Sequence, residues 1–430
     1  MHLTIHRGTN EIGGSCVELT TDTTRLLIDF GMPIVSSTGG DFDSSVLKNK
    51  SINELIELSI LPNIDGLYHG NESVNAVLLS HSHIDHYGLL NHINEDIPVY
   101  LGKATADLIE INNIFVNGNI HIKNPQYFEK EKSFEIGNIK ITSFWNDHSG
   151  FDAYSFLIEA EGKRVFYSGD FRSHGRKSEV YKRFIANAPK DIDYLILEGT
   201  AIGKEKSKTE NDIQAELLEI FKESHQGCCV WTSSQNIDRL VSIYKACSEA
   251  KKVLAIDLYT ANILHRLSQH ARLPDPLRGF DNIKVSFSQH LVGDLLKSEQ
   301  SDLVYPFTKF KVTMEELAES PEKYIMIIRP SLNRELGKMN WRGGKLVYSM
   351  WEGYKSKEYT ANFLDYMTNR DFEVVDVHTS GHADETTLIE FANALNPKHI
   401  IPIHTFQKSL YSSLFSQDII ALDDNEMMSL

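Results

Sequence analysis

The spacing of apolar residues changes partway along the chain. Over roughly the first 200 residues, short apolar or alternating runs are separated by polar segments, a pattern typical of β-strands. The clearest of these runs are "TRLLIDFG", "NAVLLS", "IKITSFW", "AYSFLIEA", "KRVFYS" and "DYLILE". This part of the sequence is therefore predicted to be rich in β-strands.

From residue 201 onward, strand-length runs alternate with amphipathic helices. The segments "KTENDIQAELLEIFKES" and "NIDRLVSIYKACSEA" have helical spacing, and they alternate with "CCVWTSS", "VLAIDLY", "YIMIIRPS" and "KLVYS". Such alternation predicts a second, α/β domain with a parallel sheet. The strand "EVVDV", the helix "DETTLIEFANALN" and the strand "HIIPI" follow, and the acidic segment "ALDDNEMMSL" is expected to be loosely held.

Length and composition are those of an ordinary soluble globular protein. The 430 residues, 41% hydrophobic and 24% charged, are enough for two domains with substantial cores. The net charge of −16 argues against a protein that coats nucleic acid by bulk charge, although an enzyme with one local basic groove remains compatible with it.

Several classes of protein are not expected from this sequence. No apolar run approaches the ~20 residues of a membrane span, and no secretory signal is recognisable. Cysteines at 16, 228, 229 and 247 lack metal or disulfide spacing, and Cys228–Cys229 are interpreted as small buried hydrophobes. We therefore expect a cytoplasmic protein with no membrane partner.

Ionisable residues of the types that bind metals follow six of the predicted strands. Sites in α/β sheets lie at the carboxyl ends of strands, so these residues are expected to converge. They are, in chain order, His81, His83, Asp85 and His86; Asp147 and His148; Asp170; Glu198; His378, Ser380 and His382; and His404.

This set of side chains fits two metal ions. His81 and His83 lie two residues apart in an extended segment and can point to one ion, while Asp85 and His86 can reach a second. Imidazole and carboxylate ligands suit zinc, or manganese where carboxylate and water predominate. Two such ions can share a hydroxide nucleophile for attack on a phosphoryl group. The remaining predicted ligands are His148 for the first ion, His404 for the second and Asp170 as a bridge.

Other polar residues are interpreted more conservatively. A single histidine after a strand is usually structural, and we interpret His174, His265, His270 and His290 in this way. Asp29 in "LLIDFG" is interpreted mainly as a strand-end cap, with a metal-ligand role as the alternative.

These segments resemble the motifs of the metallo-β-lactamase fold. "HSHIDH", "LLIDFG" and "YSGD" are similar to its His-rich motif, its early aspartate and its bridging aspartate. "ILEGT", "HTSGHAD" and "IPIHT" resemble three further motifs of the β-CASP branch, which processes nucleic acids and includes ribonuclease J; "NEIGGSC" and "SSQNIDRL" are also similar to ribonuclease J segments. The resemblance implies an α/β protein with an αββα metallo-β-lactamase domain (residues 1–200 and 375–430) and an inserted α/β β-CASP domain (residues 201–374).

The resemblance also implies a role for each site residue. His81, His83, His148 and Asp170 would hold one zinc ion, and Asp85, His86, His404 and the shared Asp170 would hold the other. The implied catalytic residues are Asp85, His382 and Glu198, where His382 contacts the scissile phosphate as a general acid and Glu198 orients it. Ser380 and the backbone of Gly381 would add phosphate contacts.

Two features depart from ribonuclease J. The segment after the last strand is "HTF" where that family has His–Gly–Glu, so the contribution of the glutamate is missing although His404 remains. The sequence continues for 26 residues after His404 (430 − 404), so we do not expect the extra C-terminal domain of ribonuclease J here, and formation of a homodimer is left open.

Two basic segments are candidates for contact with a polyanion. The first is "FRSHGRK", in which Arg172 and Arg176 follow the predicted bridging aspartate. The second is "NRELGKMNWRGGK", in which Trp341 lies among cations and glycines, as in surfaces that stack a base and hold phosphates. A solvated charged loop is the alternative for both.

We therefore expect a zinc-dependent hydrolase, with manganese as the alternative metal, that cleaves single-stranded RNA as an exo- or endonuclease in a cleft between two domains. A DNA nuclease of the same branch, or a weakly catalytic nucleic-acid-binding or regulatory member of the fold, are the alternatives. A small-substrate hydrolase such as a thioesterase or lactamase ranks last, because it would need neither the inserted domain nor "HTSGHAD".

Overall fold

The structure is a computed structural model that describes residues 1–35, 40–69, 74–116, 118–339 and 341–430, without the side chain of Lys338. The chain divides into two compact units. Unit 1 consists of Met1–Lys206 and Gly381–Leu430, and unit 2 consists of Ser207–Ser380. Each boundary lies six residues beyond the one expected from the sequence (206 − 200 and 380 − 374).

The first part of unit 1 is built mainly from short strands. Its helices are α1 (Ile52–Glu57), α2 (Ile84–Tyr87), α3 (Lys103–Phe115) and α4 (Ser178–Ala186). Its strands are β1 (His2–Arg7), β2 (Cys16–Thr20), β3 (Arg25–Ile28), β4 (Ala76–Leu78), β5 (Val99–Leu101), β6 (Pro125–Tyr127), β7 (Ser133–Ile136), β8 (Ile139–Trp145), β9 (Tyr154–Ala160), β10 (Lys163–Tyr167) and β11 (Tyr194–Glu198).

Unit 2 alternates strands with helices, and unit 1 then resumes. The strands of unit 2 are β12 (Cys228–Trp231), β13 (Val253–Asp257), β14 (Ile283–Ser286), β15 (Lys311–Val312), β16 (Tyr324–Ile328), β17 (Gly344–Tyr348) and β18 (Phe372–Asp376). Its helices are α5 (Glu210–Glu223), α6 (Ile237–Glu249), α7 (Leu258–Leu267), α8 (Gln289–Lys297), α9 (Met314–Glu319), α10 (Asn333–Met339) and α11 (Glu358–Thr368). The resumed part of unit 1 contains α12 (Glu385–Leu395), β19 (His399–Ile403), α13 (Tyr411–Leu414), β20 (Asp418–Ile419) and β21 (Met427–Ser429).

Unit 1 contains two packed sheets. Their strand orders are β21-β1-β2-β3-β4-β5-β6 and β20-β19-β11-β10-β9-β8-β7. Alternation along each strand divides its side chains between two faces. Val165 and Tyr167 of β10 lie in the core between the sheets together with Leu3 of β1, whereas Phe166 lies on the outer face of its sheet. The strands therefore bury both faces.

Helices cover the outer faces of both sheets. Ile109 of α3 packs in one cluster with Val77 of β4, while Phe184 of α4 and Phe391 of α12 pack around Phe166. Burying each such side chain contributes about 1.5–3 kcal/mol. The layers are thus helix, sheet, sheet and helix, and the αββα prediction is confirmed.

Unit 2 has a parallel sheet, as the alternating pattern predicted. Its order is β15-β14-β13-β16-β12-β17-β18, and every pair of neighbours runs in parallel. Cys228 and Cys229 of β12 are fully buried free thiols, consistent with their interpretation as small hydrophobes. β18 pairs with β17, so the strand that the predicted boundary had divided belongs wholly to unit 2.

The expectation of a loosely held acidic segment near residue 430 was wrong. β21 pairs antiparallel with β1, from His2 opposite Ser429 to Thr4 opposite Met427. Asp424 also accepts hydrogen bonds from the backbone N–H (3.1 Å) and the hydroxyl (2.7 Å) of Thr9. Backbone pairing therefore outweighs the polar character of the segment.

In the described ranges, every helix is too short or too polar to cross a membrane.

Candidate metal centre

The strand ends of unit 1 bring the predicted ligands together. All seven, with Glu198 and His382, fall into three groups in which the possible ligand atoms lie within 4.8 Å of one another. The groups are His81, His83, His148 and Asp170; Asp85, His86 and His404; and Asp170, Glu198, His382 and His404. Asp170 and His404 each belong to two groups, so the three groups form one continuous cluster.

Hydrogen bonds fix the ring orientation of two histidines. Nδ1 of His86 donates to a carboxylate oxygen of Asp29 at 2.8 Å, and Nδ1 of His148 donates to the carbonyl oxygen of Gly381 at 2.6 Å. In the neutral form of each ring, with the proton held on Nδ1, the lone pair of Nε2 points into the cluster. This is the arrangement of a metal-binding histidine whose other nitrogen is anchored.

Several atoms that face the cluster lack the partners that buried polar atoms need. Nε2 of His81, Nε2 of His86 and Oδ2 of Asp170 are buried and make no hydrogen bond among the described residues, although Nε2 of His86 lies 3.2 Å from Oδ2 of Asp170. Nε2 of His148 lies 3.1 Å from Nδ1 of His83. Unpartnered buried polar atoms are costly. Convergent lone pairs of this kind therefore fit bound cations.

Burial sets the charge of most of these imidazoles. It holds the pKa values of His81 and His148 well below the ordinary histidine value, with neighbouring histidines adding to the effect, and it lowers the pKa of His83 to about 4. Neutral imidazole is the form that binds zinc. These three rings are therefore in the ligand form at neutral pH.

For Asp170 and His86, ion pairing outweighs the effect of burial on the pKa. Burial opposes charge on Asp170, but His404, His86 and His382 outweigh it and hold its pKa well below the usual range. Burial likewise opposes protonation of His86, but Asp170, Asp29 and Asp85 raise its pKa. A divalent cation would displace the proton on His86, since metal and proton compete for the same lone pair.

Asp29 has a role that the sequence interpretation missed. Its carboxylate accepts hydrogen bonds from the backbone N–H and hydroxyl of Ser80, from the Tyr167 hydroxyl and from His86, each at 2.8 Å. Asp29 belongs to none of the three groups and so acts on His86, which it orients. Its left-handed backbone (φ 60°), a conformation that aspartate tolerates better than most residues, directs the side chain there.

Gly31 permits the close approach of this segment to α2. A Cβ atom at Gly31 would lie 1.7 Å from the carbonyl oxygen of Asp85. The backbone N–H of Phe30 donates to the carbonyl of His86 at 2.7 Å. The segment after β3 and the histidine-rich segment after β4 are therefore fixed to each other by their backbones.

His404 is held in a left-handed conformation directly after β19. Its φ is 55°, and its backbone N–H donates to the carbonyl of Gly8 at 2.7 Å. Nδ1 lies 2.7 Å from the Thr200 hydroxyl, while Nε2 lies 3.3 Å from Oδ2 of Asp85. Such backbone strain persists only where the surroundings fix it, and it is concentrated at functional positions.

His382 and Glu198 form a pair at the edge of the cluster. Nδ1 of His382 lies 3.2 Å from one carboxylate oxygen of Glu198 and 3.7 Å from Asp170. Glu198 is buried and also accepts from the backbone N–H of Phe171 (3.3 Å) and of Thr200 (3.1 Å). The side chain of His382 is 19% exposed, so it is the member of this pair that a substrate could reach.

The residues predicted to contact the substrate differ in how exposed they are. Arg172 is fully buried with its Nε 3.5 Å from Asp147, so its prediction as a phosphate contact was wrong: the side chain faces the protein interior. Arg176 is partly exposed in the same loop, Ser380 is the last residue of unit 2, and the Gly381 carbonyl anchors His148. The roles of these three residues in substrate binding stay predictions.

The second basic segment does not present its tryptophan to solvent. Trp341 is buried in the core of unit 2, with its indole N–H donating to the carbonyl of Gln226 at 2.8 Å. The proposed stacking role for Trp341 was therefore wrong. His265 and His290 pair with Asp275 and Asp294, each at 2.8 Å, which agrees with their structural interpretation.

Two family models match parts of the chain. Residues 57–232 match a β-lactamase superfamily domain, and residues 369–412 match a Zn-dependent metallo-hydrolase RNA specificity domain. The first match includes six of the seven candidate ligands, and the second includes His382 and His404.

Known proteins resemble nearly the whole chain. Ribonuclease J of Mycoplasma genitalium is 20% identical over 98% of this chain and 72% of its own length. An RNase J-like protein of Methanocaldococcus jannaschii is 22% identical over 94% of this chain and 92% of its own. The crystal structure of a protein of unknown function from Enterococcus faecalis has a TM-score of 0.79 at 18% identity, covering 100% of this chain and 99% of that one. This last likeness concerns the fold.

Proposed function

The chain belongs to the β-CASP branch of the metallo-β-lactamase superfamily and is similar to ribonuclease J, and on this premise we propose that it is a two-metal phosphodiesterase that hydrolyses single-stranded RNA. The observation that carries the proposal is the buried cluster of seven candidate ligands with His382 and Glu198 beside it. The matched family models indicate hydrolysis as the class of reaction. The cluster contains the side chains that could bind the metal ions for that reaction.

The chain's residues divide into two ligand sets. His81, His83 and His148 would hold one ion, and Asp85, His86 and His404 the other, with Asp170 common to both. When bound, two divalent cations would activate a water molecule and neutralise charge on the attacked phosphate. Zinc is the proposed metal, because imidazole ligands predominate, and manganese is the alternative.

His382 is proposed to protonate the leaving oxygen. Its Nδ1 faces Glu198, so proton transfer to a substrate would take place from Nε2. Glu198 is itself fixed by two backbone N–H groups and can hold the imidazole in one orientation. A positioned acid of this kind contributes about 10²–10⁴-fold to a rate.

Phosphate binding is proposed for residues near this pair. Ser380, the backbone of Gly381 and the partly exposed Arg176 are the candidates that remain after Arg172 is removed. Arg172 instead pairs with Asp147, whose carboxylate also accepts from the backbone N–H of Gly175 at 2.8 Å. Arg172 is thus proposed to fix the loop that carries Arg176.

RNA is the proposed substrate because the descriptions of the similar proteins and of one matched family model refer to RNA. The model matched by residues 369–412 is described as an RNA specificity domain, and two of the similar proteins are named ribonuclease J or RNase J-like. Single strands are favoured, since their bases and phosphates are accessible to a protein surface. DNA is the alternative substrate, and exo- against endonucleolytic cleavage is read from the products.

The test is incubation of zinc- or manganese-loaded protein with end-labelled RNA and DNA strands of the same sequence. We expect RNA to be cut, and the product ladder to distinguish stepwise removal of nucleotides from internal cleavage. Asp170→Asn is the matched control for a contaminating nuclease. It replaces one carboxylate oxygen with an amide nitrogen, so the side chain keeps its size but loses its charge. Equal cleavage of DNA and RNA would favour the DNA nuclease. Cleavage of neither strand, with hydrolysis of a small ester or lactam, would overturn the proposal.

A further inference from the structure

Unit 2 contains a surface cavity that shares no residue with the metal centre. Its volume is about 590 Å³, and it is lined by Tyr244 of α6, the loop 268–273 after α7, and residues 278–280. Ligand pockets usually have volumes of about 300–1,000 Å³, a range that includes a nucleotide site. The cavity is large enough for a mononucleotide.

The segment that forms this cavity is basic, although the whole chain carries a net charge of −16. Residues 258–280 contain arginines at 266, 272 and 278 and histidines at 265 and 270, and the one acidic residue among them is Asp275. The next acidic residue, Asp281, is exposed beyond Phe280. The described residues that line the cavity include Arg272 and Arg278 and no acidic residue.

The negative charge of Asp275 is satisfied inside the protein. Asp275 is fully buried and accepts from Nδ1 of His265 (2.8 Å), the hydroxyl of Ser268 (3.0 Å) and the backbone N–H of Leu277 (2.9 Å). Burial opposes its ionisation, but these contacts lower its pKa, so the carboxylate stays charged and stabilises the loop. It is not exposed to repel an anion in the cavity.

The two arginines that line the cavity remain available to an anion. Arg272 is exposed and makes no ion pair in the part of the chain that the structure describes. Arg278 is half exposed, and its Nε is 3.9 Å from Asp275, a distance at the outer limit of an ion pair. Guanidinium groups bind phosphate through two parallel hydrogen bonds.

An aromatic pair lies on the same wall. The rings of Tyr244 and Phe280 meet edge to face, with centroids 5.3 Å apart, and both side chains are partly exposed. Bases stack on such rings whatever their sequence. The cavity thus combines a surface for a base with cations for a phosphate.

We propose that this cavity, which we call the arginine pocket, binds a nucleoside phosphate through Arg272 and Arg278, with the base against Tyr244 or Phe280. The identification of an RNA strand as the source of that nucleotide rests on the proposed function. A free nucleotide has the same chemistry, and the experiment separates the two sources.

The first arm measures binding of labelled single-stranded RNA to the metal-loaded chain, in the His382→Ala background so that cleavage does not interfere. Arg272→Glu should weaken binding about tenfold, the worth of a charge-assisted hydrogen bond. The slope of log affinity against log salt should also become shallower by about 0.7, one phosphate contact to a single strand. Lys297→Glu is the matched control, because it makes the same charge change on an exposed side chain of α8 outside the pocket.

The second arm uses adenosine monophosphate and inorganic phosphate with the full chain, measured by calorimetry. Arg272→Glu and the milder Arg272→Gln should each abolish or strongly weaken binding of adenosine monophosphate, with an unchanged melting temperature. Phe280→Leu should weaken binding of the nucleotide and leave that of phosphate unchanged, because the ring contacts the base.

The two proposals can fail separately. If the wild-type chain cuts RNA and Arg272→Glu binds RNA and nucleotide as well as Lys297→Glu does, the arginine pocket is overturned and the proposed function stands. If RNA is neither bound nor cut but nucleotide binding depends on Arg272, the proposed function fails, and the pocket is supported with a free nucleotide as its ligand.

Discussion

Two buried clusters of charged residues, one in each unit, differ in how their polar atoms are satisfied. In unit 2, Arg239 and Glu210 are both almost fully buried, with Nη2 of Arg239 3.0 Å from a carboxylate oxygen of Glu210. Arg239 also donates to Ser349 and to the Val377 carbonyl, and Ser242 donates to Glu210 at 2.6 Å. In unit 1, the buried Nε2 atoms of His81 and His86 make no hydrogen bond among the described residues.

The difference indicates what each cluster is for. A buried charged group with its partners in place stabilises a fold or specifies its geometry, and it needs nothing from outside. A buried cluster of polar atoms that lack hydrogen-bond partners is incomplete as protein structure and fits a bound ion. Burial and convergence are common to both clusters, so unsatisfied atoms are the feature that distinguishes a candidate site from a structural network.

The largest expected effect is the loss of both ions on replacing Asp170. Asp170→Asn removes the carboxylate common to the two ligand sets, so metal content should fall from about two ions per chain to near zero. His404→Ala should weaken mainly one ion. Elemental analysis of dialysed protein measures both variants. Equal loss from both would contradict the bridging role of Asp170, and no metal in the wild-type chain would contradict the site itself.

Breaking the unit 2 cluster should cost stability and leave metal content unchanged. Arg239→Ala leaves Glu210 buried without its partner, which should lower stability by about 3–5 kcal/mol. Arg342→Ala is the control, because it removes an exposed pair with Asp371 that is worth about 0–1 kcal/mol. Chemical denaturation and elemental analysis follow the two properties. Metal loss in folded Arg239→Ala would show that the clusters are not independent.

Removing His382 should separate chemistry from metal binding. His382→Ala should lower turnover of RNA by about 10²–10⁴-fold while metal content and the melting temperature stay close to those of the wild-type chain. Glu198→Gln should give a smaller defect of the same kind, since its role is to orient the ring. An unchanged rate for His382→Ala would make this pair structural, like the cluster in unit 2.

The smallest effect is expected for Asp29, which contacts a ligand without belonging to a ligand group. Asp29→Asn keeps the size of the side chain but weakens its hold on His86, so metal affinity should fall about 10–100-fold, as for other residues that orient metal-binding histidines. Competition with a chelator measures this change. A metal affinity equal to the wild-type value would contradict the role of Asp29 in orienting His86. Its hydrogen bonds to Ser80 and Tyr167 would then be purely structural.

The sequence predicted which polar residues converge better than it predicted their surroundings. The spacing in "HSHIDH" lies within one short segment, so its meaning can be read without knowing the fold. The partner of Asp29 is 57 positions away in His86, and the burial of Arg172 depends on Asp147, 25 positions before it. Contacts over such distances are set by the pairing and packing of the sheets, which periodicity does not specify.

Local composition was misleading where a long-range contact decides exposure. Glycines and cations around Trp341 are typical of a solvent-exposed segment, yet the Gln226 carbonyl accepts its N–H and Phe372 packs against its ring. The same limit applies to β21, whose strand partner β1 lies more than 400 positions earlier. The arrangement of layers, by contrast, was implied by the resemblance of short motifs such as "HSHIDH" and "YSGD" to those of the metallo-β-lactamase fold.

The position of β19 has a consequence for how a newly made chain matures. β19 pairs in parallel with β11, Tyr194 opposite His399, and all of unit 2 lies between them in the chain. Synthesis therefore delivers unit 2 before β19 and before His404, and domains generally fold as units while they emerge. Until then the second sheet of unit 1 lacks the strand that pairs with β11, and one proposed ligand set lacks His404. Assembly of the complete set of proposed ligands would thus mark the moment at which a nascent molecule has closed its divided domain.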